Sequence, residues 1–188
     1  SKRFPAFALS EDQIAIYQKD AGILAATRCV NALLRTAAKQ GAILQDREAV
    51  ENLQLSESQV TVKTSKNTYT AERLVICAGP WLGKVFKDLV LPLQVDQQQV
   101  LYVTVKNGHL HSPNTMPIFI NRDPKNDIYG FPLFDHPTAI KFSDHSGAKK
   151  INLDDRGFDL DESKAKNTLE RAKLFLPHLT DDMIHFET

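Results

Sequence analysis

Three side chains past the middle of the chain have the types and spacing to do chemistry together. They are Tyr129 in Ile128-Tyr129-Gly130-Phe131-Pro132, Lys141 in Ile140-Lys141-Phe142, and His145. Tyr129 and Lys141 fall on neighbouring predicted strands. A turn near Asp135-His136-Pro137 would bring their side chains to one face of a hairpin. A lysine between apolar neighbours either points to solvent from a half-exposed strand or is held in a site. If held, it is a fixed positive charge where negative charge develops. Tyr129 either packs or donates a hydrogen bond to a carboxylate. A second signal is Ala78-Gly79-Pro80-Trp81, at the end of the apolar run Leu74-Val75-Ile76-Cys77-Ala78. A buried strand that stops at glycine lets a ligand approach the backbone, and open α/β sheets take ligands beyond such strand ends. The same pattern also serves as an ordinary strand-to-helix turn.

Other chemistries find little support. His109, His111 and His136 lie in polar loops and are expected to be solvated, and His178 reads as structural. No Cys or carboxylate stands at ligand spacing beside them, so no metal site is expected. No Ser/His/Asp nucleophile pattern, Walker A loop or GxGxxG occurs, so the chain does not encode a complete dinucleotide fold. Cys29 and Cys77 lack CxxC spacing and are expected to be reduced core residues, which suggests a reducing, cytoplasmic location.

The elements that must position these residues read as α+β with many strands. Val30, Leu33, Leu34 and Ala37 repeat on one face of a helix over 26–40, which Gly41 ends. Short strand signals fall at 14–17, 42–44 and 50–55. Val60, Val62 and Tyr69 flank a Ser65-Lys66-Asn67 turn as a hairpin. Leu74–Ala78 reads as a strand covered on both faces, and a short helix over 82–89 follows. Strands are predicted at 100–105, 118–120, 128–134 and 139–143, and a helix over 162–175 precedes Pro177. The 188 residues are 42% hydrophobic and 24% charged, enough for a real core. Lys+Arg and Asp+Glu balance at 23 each, so no net field favours nucleic acid or an anionic membrane. No apolar run reaches the ~18 residues of a membrane span. Ser1-Lys2-Arg3-Phe4-Pro5 has neither a signal peptide's apolar region nor an initiator Met, which suggests a chain cut from something longer.

Taken in order, these segments resemble the monomeric sarcosine oxidase and N-methyl amino acid oxidase family, within the wider D-amino acid oxidase superfamily. The likeness runs from Arg3-Phe4-Pro5 through Asp20-Ala21-Gly22-Ile23-Leu24, Gly41-Ala42, Val50-Glu51, Leu74–Trp81 and Pro92-Leu93-Gln94. Its narrowest part is Tyr129-Gly130-Phe131-Pro132 followed by Lys141 and His145. The resemblance implies FAD as cofactor and a small amino-acid substrate with a carboxylate. It implies that Tyr129 and His145 lie near the substrate. It makes Lys141 the lysine held over the flavin ring through water, where reduced flavin meets oxygen. It also implies flavin contacts at Val50, Gly79 and Trp81. The turn between Tyr129 and Lys141 is one residue longer than the family pattern, and a one-residue slip would reverse the facing of Lys141.

The resemblance implies partial FAD-binding segments over 1–90 and a largely antiparallel substrate domain over 91–188. It also implies that the pyrophosphate-binding unit and the flavin-linking cysteine lie outside these residues. The chain is therefore expected to be an internal fragment of an oxidase that acts on secondary or N-methyl amino acids. Alone, it is expected not to retain FAD and to be inactive. The alternative is an inactive substrate-binding or interaction module that needs a separate flavin-binding chain. Either way, no nucleic-acid or membrane partner is expected, and exposed apolar surface could drive self-association.

Overall fold

Helix α1, Ala26–Lys39, forms where the apolar period is strongest. Its end is a Schellman turn: Gly41 takes φ 93°, its N–H donates to the Ala38 carbonyl, and the Ala42 N–H donates to Ala37. An antiparallel meander of β1 (Val50–Leu55), β2 (Val60–Thr64) and β3 (Thr68–Ala71) follows. Glu48 stabilises its second turn by accepting hydrogen bonds from Thr64 Oγ1 (2.5 Å), Asn67 Nδ2 (3.2 Å) and the Tyr69 hydroxyl (3.0 Å). A 3-10 turn at Gly79–Trp81 leads into α2, Leu82–Val85, which lies beside β1. These elements belong to one compact unit, Leu24–Val95. The computed structural model describes residues 3–86, 91–124, 126–146 and 148–188.

The other unit comprises Ser1–Ile23 and Asp96–Thr188. Its strands are β4 (Asp96–Gln97), β5 (Val100–Val105), β6 (Phe119–Asp123), β7 (Asn126–Phe131), β8 (Ala139–Asp144) and β9 (Lys149–Lys150), followed by α3 (Glu162–Lys173) and β10 (Leu179–Glu187). The main sheet has the order β10-β5-β8-β7-β6 with every neighbour antiparallel, and β4 pairs with β9. Asp161 caps α3 by accepting from the Lys164 N–H at 3.0 Å. The helix lays Ala165, Leu169 and Ala172 against Leu101, Val103, Ile128, Ile140 and Phe142 on one face of the sheet. The N-terminal segment joins this core. Ala6 is buried, the Ala8 N–H donates to the Phe175 carbonyl, and Phe7 meets Phe119 edge-on at 5.4 Å.

The protein is thus a mixture of helix and antiparallel sheet, and several local expectations change. Residues 14–17 and 42–44 are not strands, and Ile14, Ile16 and Ile43 face solvent. Leu74–Ala78 has no strand pairing, with Val75 84% exposed. A strand needs at least one ladder partner, and none of the described residues pairs with these. Cys29 and Cys77 are free but exposed rather than buried. The last four residues of the helix expected over 82–89 begin at 86, where the helix has ended, and 87–89 lie outside the described residues. The expected boundary after residue 90 compares with units that part at Ile23/Leu24 and Val95/Asp96. Among the described residues no helix is long and apolar enough to cross a membrane.

Candidate active site

The sheet has two unlike faces. Alternation along β7 and β8 sends Ile128, Ile140 and Phe142 to the core under α3. It sends Tyr129, Phe131, Lys141 and Ser143 to the opposite face, where Ser143 is buried and the other three are half-buried. The register puts Tyr129 opposite Ser143 and Phe131 opposite Lys141, so Tyr129 and Lys141 are diagonal neighbours on that face. The longer turn therefore does not reverse Lys141. His145 follows β8, and its N–H donates to the Asp127 carbonyl at 2.7 Å. Its ring meets Tyr129 edge-on, with centroids 5.7 Å apart.

Tyr129 and His145 line an open cleft of about 510 Å³ with Gln98, Ile118, Phe119, Ile120, Gly130 and Phe131. A mostly apolar wall with a few convergent polar groups suits a small molecule. Gln98 Oε1 is buried with no hydrogen-bond partner among the described residues. Lys141 does not line this cleft. It lies towards β5, directly opposite Tyr102. Its ammonium is 2.9 Å from Glu187 Oε2 and 5.1 Å from the centre of the Tyr102 ring. Burial pulls the Lys141 pKa down, but hydrogen bonds with Tyr102 and Glu187 outweigh it and leave it above the ordinary lysine value. Burial pushes the Tyr102 hydroxyl up as well. For Glu187 burial acts upward, yet the bonds from Lys141 and Tyr102 hold it below the ordinary carboxylate value.

The remaining sequence candidates lie in the other unit. Val50 opens β1 opposite Thr64, and Trp81, 48% exposed, precedes α2. Gly79 takes φ 51°, and no atom lies within 4 Å of where its Cβ would be. His111, expected in solvent, is fully buried. Its Nδ1 donates to the Asn107 carbonyl at 2.7 Å, its ring meets His178 at 5.8 Å, and burial lowers its pKa. Sequence reasoning missed Gln98, Tyr102 and Glu187. The Gln97-Gln98-Gln99 run beside a strand signalled the first. Nothing signalled Glu187 once β10 went unread. Among the described residues no group of three or more His, Cys, Asp or Glu could hold a metal ion.

A family model described as FAD dependent oxidoreductase matches residues 1–188. The chain belongs to the FAD dependent oxidoreductase family. The chain is 36% identical over 138 residues to the monomeric sarcosine oxidase of Streptomyces avermitilis, covering 72% of this chain and 36% of that protein. It is 29% identical over 177 residues to the monomeric sarcosine oxidase of Bacillus sp. (strain B-0618), covering 90% and 45%. It is 27% identical over 151 residues to the N-methyl-L-tryptophan oxidase of Salmonella typhi, covering 79% and 39%. The chain thus spans less than half the length of these curated relatives. Among solved structures, the open form of NikD, an unusual amino acid oxidase essential for nikkomycin biosynthesis, shares its fold. The TM-score is 0.68 over 84% of this chain and 42% of that one, at 18% identity.

Proposed function

We propose that this chain provides the substrate side of an FAD-dependent oxidase acting on the CH–NH group of secondary or N-methyl amino acids, giving imine and hydrogen peroxide. The observation that carries this reading is the sheet face opposite α3, which sets Tyr129 and His145 in one cleft and the Lys141 cation beside it. Tyr129 donates to the substrate carboxylate, His145 holds the tyrosine ring edge-on, and Gln98 lines the same cleft. The apolar wall of Phe119, Ile120 and Phe131 excludes water from the reacting carbon.

FAD, when bound, supplies the two-electron oxidation of the carbon–nitrogen bond and returns the electrons to dioxygen. The residues present fit its ring end. Lys141 offers a fixed cation beside aromatic rings, and Gly79, taken by itself within the other unit, has positive φ and open space. Val50 and Trp81 are the further contacts we assign to it. No GxGxxG cradle for the pyrophosphate occurs in the sequence. On their own, therefore, these 188 residues bind FAD weakly and do not turn over. A yellow, FAD-loaded sample of the chain would sink that part of the reading. In the intact parent enzyme, Lys141→Met slows reoxidation by oxygen more than reduction by substrate, because the cation acts where charge develops on oxygen. Equal effects on both half-reactions would refute the assignment.

A second reading, an interaction module that works with a separate flavin-binding chain or a second copy of itself, is favoured by one observation. The apolar stripe of α1 (Val30, Leu33 and Leu34) and Val75 face solvent together with Ile43. Co-purification with a flavin-binding chain separates the two readings, as does size measured against concentration. Two exposed, unbridged thiols suit a reducing compartment such as the cytoplasm.

A further inference from the structure

We infer that Glu187 is the positioning residue for Lys141, its carboxylate fixing the ammonium on the sheet face opposite α3. The inference rests on the reading of Lys141 as the oxygen-side cation. Three strands meet here. Lys141 projects from β8, Tyr102 from β5 next to it, and Glu187 from β10 on the far side of β5. Glu187 lies opposite Val100, which shares its face with Tyr102. One carboxylate oxygen takes the ammonium at 2.9 Å and the other accepts the Tyr102 hydroxyl at 3.0 Å. With both oxygens engaged, the carboxylate cannot rotate without losing a partner. The ammonium also lies over the Tyr102 ring at 5.1 Å, in cation–π range. A lysine has a flexible four-carbon stem and one point charge. Left alone there it samples many rotamers. Held by a carboxylate on one side and a ring beneath, it keeps one.

A surface ion pair with no further role is the plainer account, and two facts weigh against it. The Lys141 side chain is only 25% exposed, and the Tyr102 ring that carries the second bond is buried. Hydrogen bonds with Tyr102 and Glu187 also outweigh burial in keeping the ammonium protonated. Glu187 therefore does for Lys141 what an orienting carboxylate does for a catalytic base. It fixes the position and the charge state of the group that acts, without touching the reacting atoms.

The test has a readout that needs no flavin. The chain is labelled with limiting acetic anhydride across pH 7 to 11, and acetylation at each lysine is followed by peptide mass spectrometry. Exposed Lys149 and Lys150 serve as internal references. Glu187→Gln raises labelling of Lys141 at pH 9 by about threefold, the change that half a pKa unit gives, and leaves the references unchanged. Tyr102→Phe moves it less and in the same direction. In the intact parent enzyme, Glu187→Gln slows reoxidation several-fold with substrate reduction unchanged, and Glu187→Asp recovers part of the rate. Unchanged Lys141 labelling in Glu187→Gln overturns the inference. So does wild-type reoxidation in that variant when Lys141→Met is slow. If Lys141→Met itself reoxidises normally, the functional reading of Lys141 falls instead, and the labelling alone decides whether Glu187 holds it.

Discussion

Replacing Gly130 with alanine tests how the core face is built behind the cleft. Gly130 pairs with Phe119 on one side and Phe142 on the other. The Phe119 ring fills the space where a side chain would stand. An added Cβ would lie 2.6 and 2.7 Å from Phe119 Cζ and Cε1 and 2.8 Å from the Lys141 carbonyl oxygen. The ring cannot simply swing away, because it meets Phe7 edge-on at 5.4 Å and Phe175 at 5.6 Å. The carbonyl belongs to β8 and cannot move without disturbing that strand. Overpacking of this kind costs about 1–3 kcal/mol. The φ of Gly130 is one alanine accepts, so loss of unfolded-state entropy returns about 0.4–1 kcal/mol. The net expectation is a loss of about 1–2 kcal/mol. For a chain of this size that lowers Tm by about 2–8 °C, read by thermal unfolding followed by circular dichroism. Phe119→Leu in the Gly130→Ala background should restore part of the loss, with a coupling of about 0.5 kcal/mol or more. An unchanged or raised Tm in Gly130→Ala would refute the close-approach argument.

Asp144→Asn breaks the ion pair with Arg171 that ties β8 to α3, where both side chains are mostly buried. A less compensated guanidinium should cost about 3 kcal/mol, seen as a lower urea midpoint. A midpoint equal to wild type would show the pair to be dispensable. The buried His111 has its pKa lowered below the ordinary 6.5 by burial, so the folded state favours the neutral ring. Its contribution is complete above pH 6.5 and is lost as pH falls below that value towards the folded pKa. Tm should therefore drop between pH 7.5 and 5.5, and His111→Gln should flatten the drop. An equal slope in both proteins would assign the pH response elsewhere.

Elements whose signal is local were legible in the sequence. Helix α1 and its glycine stop need only their own residues, and the β2–β3 hairpin needs only the alternation around Ser65-Lys66-Asn67. Tyr129 and Lys141 came out on one face because the β7–β8 register follows from alternation across a short turn. Long-range partners decided the rest. Leu74–Ala78 has the composition of a covered strand, but pairing is a property of neighbours. His111 sits in a polar loop of Asn, Gly and His, and its burial depends on His178 and the fold around it. β10 escaped because its inward residues, Leu179, Met183 and Phe186, are spaced by four and then three, which is a helix repeat rather than a strand's alternation.

That spacing has a further consequence. The β10–β5 pairing shifts register twice, between Leu179 and Met183 and again between Met183 and His185. In the second shift two steps along β10 answer one step along β5, from Val103 to Tyr102. The parity of the strand is inverted there. Met183 points inward, yet Phe186 and not His185 is the next to do so, and Glu187 turns outward beside Lys141. Strict alternation from Met183 would send the Glu187 carboxylate into the apolar core and Phe186 into water. The charge beside Lys141 is therefore specified by counting residues. Position 184 is the extra residue: without it, plain alternation from an inward Met183 would give an outward His185, an inward Phe186 and an outward Glu187, the same faces with no bulge.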